Sequence, residues 1–168
     1  MSINIKLHKR EDETNSREFV CAQEMENSFK KYFSNFPNTK GSIDIYYSLT
    51  LNGQSVRDID LLVTGTLENF KIKSLIVDPT DHQKKDVIVH SFCYVIELKD
   101  HSEAYLDSTH IMVRYNKTNK DVTNQSENQK YAFVNYFNNM YNYKPFVTVM
   151  IPAHNEEEWI FGCIQSFL

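Results

Sequence analysis

The sequence predicts an α/β fold in which a mixed central sheet is flanked by helices. Three observations carry that expectation. An early segment repeats apolar residues at helical spacing, the middle of the chain is built of short β-branched and aromatic runs, and helical spacing returns towards the end. The 168 residues are enough for one core without disulfides or a structural metal. The composition, 41% hydrophobic and 24% charged with four Gly and four Pro, is that of a folded globular protein. We read a polar segment over residues 1–17 and one domain over residues 18–168.

In residues 18–33, Cys21, Ala22, Met25, Phe29, Tyr32 and Phe33 share one helical face, and Pro37 and Gly41 follow as breakers. Strands are predicted over 43–51, 56–64, 70–77, 87–89, 92–99 and 111–115, with Asn52-Gly53 as a hairpin turn after the first of them. A second helix is expected over 124–143, where Phe133, Phe137 and Met140 or Tyr141 form a stripe. A strand over 146–151 and a closing helix over 155–168 complete the order, the run Glu156 to Glu158 suiting that helix's positive N-terminal end.

Charge and cysteine usage narrow the class. The net charge of −4 speaks against a protein that only coats nucleic acid through an excess of Lys and Arg, yet it suits a site that collects carboxylates around a cation. Cys21, Cys93 and Cys163 are odd in number, widely spaced and flanked by apolar residues, as expected of buried thiols in a reducing compartment. No stretch approaches the roughly 20 apolar residues of a membrane span, and the polar start lacks the apolar core of a secretion signal. A cytoplasmic protein with no membrane partner is expected.

Two segments place charge where a strand should be apolar. In Asp58-Ile59-Asp60-Leu61-Leu62-Val63 the alternation of a strand puts both carboxylates on one face and Ile59, Leu61 and Val63 on the other. In Tyr94-Val95-Ile96-Glu97-Leu98-Lys99, Glu97 and Lys99 share a face opposite Ile96 and Leu98. Buried charges are costly unless they pair or ligate a metal. If the strands are neighbours, Asp60, Glu97 and Lys99 converge, and two carboxylates with the Leu98 carbonyl supply the hard oxygens that Mg2+ takes. The plain alternative is a surface ion pair on a half-exposed sheet.

An acidic strand residue followed by an apolar strand ending in Glu-x-Lys resembles the PD-(D/E)xK nuclease superfamily. Ile59-Asp60-Leu61-Leu62-Val63 with Ile96-Glu97-Leu98-Lys99 is similar to its nuclease-related domain (NERD) branch, over roughly residues 18–150. The resemblance implies a restriction-endonuclease-like fold, Mg2+ or Mn2+ as cofactor, DNA as substrate, and hydrolysis of phosphodiester bonds. It implies Asp60, Glu97 and the Leu98 carbonyl as metal ligands, Glu26 in the first helix as a further ligand with Glu24 as its rival, Lys99 acting on the attacking water, and Gln129 orienting water or phosphate. Gln125, one turn earlier, shares the face of Gln129. The Asp60 to Glu97 spacing exceeds that branch's pattern, which implies an inserted hairpin over 70–90.

Family members occur as modules of larger defence or repair proteins, so a homodimer or further subunits stay open, as does an inactive nucleic-acid or partner-binding module that kept the fold. His82, His90, His101, His110 and His154 pair with no cysteine at zinc spacing. Arg114, Lys117 and Lys120 are candidates for a DNA-binding edge. One segment, Val147 to Glu157, resembles the opening strand and loop of a family 2 glycosyltransferase, but that fold needs about a further domain of chain after the loop.

Overall fold

The structure, a computed structural model, describes residues 3–9, 16–54, 58–77, 80–98, 104–115, 117–142 and 149–153. Lys99, His101, Cys163 and the helix predicted over 155–168 lie outside the described residues. The chain forms β1 (Asn4–Leu7), α1 (Arg17–Phe33), β2 (Lys40–Thr50), β3 (Asp58–Glu68), β4 (Lys71–Val77), β5 (Lys84–Ile88), β6 (Ser91–Leu98), β7 (Ala104–Asp107), β8 (His110–Tyr115), β9 (Thr118–Asp121), α2 (Thr123–Tyr141) and β10 (Val149–Ala153). The fold is mixed α/β.

Five strands make the central sheet in the order β1-β2-β3-β6-β10. The pairs β2–β3 and β3–β6 are antiparallel, while β1–β2 and β6–β10 are parallel. A parallel pair cannot be closed by a tight turn, and α2 lies in the connection that carries the chain from β6 to β10. Among the described residues β4 and β5 pair only with each other, as a hairpin in the connection between β3 and β6. β7, β8 and β9 form a second small sheet just before α2.

The two faces of the central sheet are covered by different helices. Ser16 caps α1, its Oγ accepting the Phe19 N–H at 3.1 Å, and Lys30 and Lys31 close the helix where cations are favoured. Its buried stripe is Phe19, Ala22, Met25, Phe29 and Phe33, packed on Ile43, Ile45, Tyr47, Leu61, Val63, Tyr94, Ile96 and Leu98. On the other face Ala132 and Phe133 of α2 pack with Leu51, Ile59, Leu62 and Val95. β6 is therefore buried from both sides, which its nearly continuous apolar run reflects.

Three strands depart from the expectation. Asn4–Leu7, inside the segment read as a polar start, pairs with β2 from Asn4 opposite Ser42 to Leu7 opposite Ile45, and buries Leu7. β7 and β9 were also not expected. All three are four residues long, too short for an alternation to stand out.

Candidate active site

The β3–β6 ladder pairs Leu61 with Ile96, Leu62 with Val95 and Val63 with Tyr94. Extending that register by one residue brings Asp60 level with Glu97, so the two charged strand segments are neighbours and end at the same place. Asp60 reaches across, its Oδ2 accepting the Leu98 N–H at 2.6 Å. A residue's N–H and C=O leave a strand on the same side, which directs the Leu98 carbonyl towards Asp60 as well.

The strand alternation expected around Asp60 breaks there. Leu61 and Val63 face α1, but Ile59, 1% exposed, packs in the cluster on the α2 side with Leu62. The cause lies on the neighbouring strand. The β2–β3 ladder pairs Tyr47 with Leu61 and Leu49 with Ile59 but skips Ser48 and Asp60, and Ser48 takes a left-handed φ of 49°. That conformation costs a non-glycine residue about 1 kcal/mol or more, and it falls where the β2–β3 pairing is interrupted opposite Asp60.

Glu97 is buried at 8% exposure. Taking a carboxylate out of water is costly unless donors replace the lost hydration, and α2 supplies two. Gln125 donates its Nε2–H to Oε1 of Glu97 at 2.8 Å, and Gln129 donates its Nε2–H to Oε2. The two glutamines stand one turn apart on one face of α2, so both reach the same carboxylate. Gln129 is 4% exposed, and its Oε1 is buried with no hydrogen-bond partner among the described residues.

What aims α2 at Glu97 is legible in its neighbours. Asp121 Oδ1 accepts the Thr123 N–H at 2.9 Å, and Thr123 Oγ1 accepts the Ile111 N–H at 2.7 Å, tying the first turn of the helix to β8 and β9. Further along, Phe133, with its ring 4.7 Å from that of Phe137, presses the helix onto Leu62 and Val95.

The remaining predicted residues are placed as follows. Glu26 forms an ion pair with Lys30 on its own helix at 2.9 Å. Burial first, then the charge of Glu24, raises the Cys21 thiol above its usual range, with Arg17 opposing and Glu18 and Asp60 raising it further. On the small sheet, Arg114 and Asn119 are paired, as are Val113 and Lys120, so Arg114 and Lys120 point to opposite faces and do not form one edge. His82, His90 and His110 are exposed, and His110 bonds Asp121 at 2.7 Å. His8, absent from the sequence-based candidates, stacks on Tyr46 at 4.2 Å and bonds Asp44 Oδ1 at 2.7 Å.

The donor set suits a hard cation. Asp60 and Glu97 supply carboxylate oxygens from adjacent strands, the Leu98 carbonyl leaves on the same side, and an unpartnered buried amide oxygen of Gln129 stands beside Glu97. Among the described residues, no three His, Cys, Asp or Glu side chains come together as a metal-binding group, so Glu26 is not brought in as a third carboxylate. Among them also, no helix is long and apolar enough to cross a membrane. In comparisons with known proteins, the chain matches no family model, no curated protein and no solved structure.

Proposed function

We propose that this protein is a metal-dependent nuclease of the PD-(D/E)xK type that hydrolyses phosphodiester bonds of DNA. The observation that carries the reading is the buried Glu97 carboxylate, level with Asp60 on the adjacent strand and held by glutamines from α2. A buried acid maintained by dedicated donors at a strand end is a poor device for stability and a common one for chemistry. The order α1-β2-β3-β6-α2-β10, with antiparallel pairs followed by a parallel one, supports a restriction-endonuclease-like arrangement.

In this reading Asp60, Glu97 and the Leu98 carbonyl would hold Mg2+ or Mn2+, with Glu26 and its rival Glu24 as the candidates for a further carboxylate from α1. When bound, the cation supplies positive charge that stabilises the phosphate and lowers the pKa of water. Asp60 is fixed for this by the Leu98 N–H, and Glu97 by Gln129. Lys99, two residues after Glu97, takes up or places the proton of the attacking water and offsets charge developing on the phosphate.

Lys99→Ala tests the reading. It should abolish cleavage of supercoiled plasmid in Mg2+ by several powers of ten while leaving calorimetric Mn2+ affinity intact or slightly higher, because the ammonium competes with the cation for the same carboxylates. Cutting at the wild-type rate would reduce Lys99 to an ion-pair partner and overturn the mechanism.

A further inference from the structure

The two glutamines that hold Glu97 are not equivalent. Gln129 is 4% exposed, and it bonds Oε2 from inside the protein. Gln125 is exposed, in the first turns of α2, and bonds Oε1 at the margin of the site. An exposed amide exchanges its partner for water at little cost, whereas a buried one that leaves its acceptor loses the full bond and strands both groups. Of the two contacts, only the one from Gln125 is easily undone.

A carboxylate oxygen that accepts a hydrogen bond from an amide must share or surrender its lone pair to bind a cation. Any cation using Oε1 of Glu97 therefore competes with Gln125, while Gln129 goes on fixing the carboxylate plane through Oε2. Without a cation, the Gln125 bond replaces part of the hydration that burial removes from Glu97. With a cation present, that service is redundant.

We propose that Gln125 is a removable latch on Glu97, a positioning residue that satisfies Oε1 in the metal-free protein and is displaced when a divalent cation binds, so that it sets the cation affinity of the site. The inference rests on the reading of Asp60 and Glu97 as cation ligands. Neither glutamine is a catalytic residue in this scheme. Gln129 is a fixed support, and Gln125 a competitor that yields.

The test is Mn2+ calorimetry on wild type, Gln125→Ala, Gln125→Met, Gln129→Met and Glu97→Gln, with Mg2+ titration of the Gln125 and Gln129 side-chain amide signals by nuclear magnetic resonance. Gln125→Ala and Gln125→Met should bind Mn2+ roughly fivefold tighter than wild type, about 1 kcal/mol at 1.4 kcal/mol per tenfold. Gln129→Met should bind more weakly. In the wild type, Mg2+ should move the Gln125 amide signals to the position of a solvent-exposed glutamine and leave those of Gln129 shifted but protected. Affinity equal to or below wild type in both Gln125 variants would overturn the latch while Glu97→Gln still abolished binding, so the cation site itself would survive. If wild type bound no Mn2+ at millimolar concentration, the cation reading would fall and the latch with it.

Discussion

Replacing Gln129 by Met separates a residue that serves the site from one that serves the core. Met keeps the unbranched length of Gln and an equal helix propensity, so the backbone of α2 is undisturbed. The change removes one hydrogen bond to a carboxylate, from Gln129 Nε2 to Glu97 Oε2, which is worth about 1.5–3 kcal/mol. It also removes a buried amide oxygen that has no partner among the described residues, relieving a desolvation cost of about 1–3 kcal/mol. The thioether adds apolar contact at a position only 4% exposed. These contributions nearly cancel, so stability should stay within about 1 kcal/mol of wild type, a shift in Tm of about 2–4 °C for a domain of this size. Function should not be spared, because Glu97 loses the buried donor that fixes its Oε2. Thermal melts read by circular dichroism, paired with Mn2+ calorimetry, give both quantities. A large drop in Tm with unchanged Mn2+ affinity would show that Gln129 is there to pack, and the argument that an orphaned amide oxygen marks a site would be refuted.

Two other outcomes follow from the structure. Gly41 has a φ of 142°, and a Cβ built there would overlap the Thr66 carbonyl oxygen, so Gly41→Ala should cost about 2 kcal/mol or more in urea unfolding. Gly53→Ala, also at positive φ but facing open space, should cost about 1 kcal/mol. Cys93, its thiol pushed from 9.0 up to about 12 by burial, should react slowly with thiol reagents at pH 8. Because the folded state disfavours the thiolate, the stability tied to this group is complete below pH 9 and is lost as pH rises towards 12. Between pH 8 and 10.5 the wild type should therefore lose about 1–2 kcal/mol more than Cys93→Ala in urea melts. Equal losses in the two proteins would show that the thiol titrates freely.

The charged residues of the candidate site were legible because they break a pattern. Asp60 and Glu97 put carboxylates inside runs that are otherwise apolar, Gln129 extends an apolar helix stripe with an amide, and the structure brings Glu97 and Gln129 into direct contact and sets Asp60 level with Glu97. The β4–β5 hairpin was legible as the two β-rich runs over 70–77 and 87–89. The short strands were not. Asn4-Ile5-Lys6-Leu7 holds too few residues for alternation to stand out, and it becomes a strand through the open edge of β2. A neighbour made that element rather than any local preference.

The choice between Glu24 and Glu26 shows where sequence reasoning stops. A helical wheel measures each residue's angle from its own apolar stripe, and on that measure Glu26 lies nearer the core. The surroundings of Asp60 are set elsewhere, where the β2–β3 ladder skips Ser48 and Asp60 and Ser48 takes a left-handed φ. Nothing in the periodicity of α1 carries that information. Nor does it show that Glu26 turns to Lys30 of its own helix. Which carboxylate of α1 can serve the site therefore depends on where the sheet places Asp60, and that placement is written in β2 and β3 rather than in the helix.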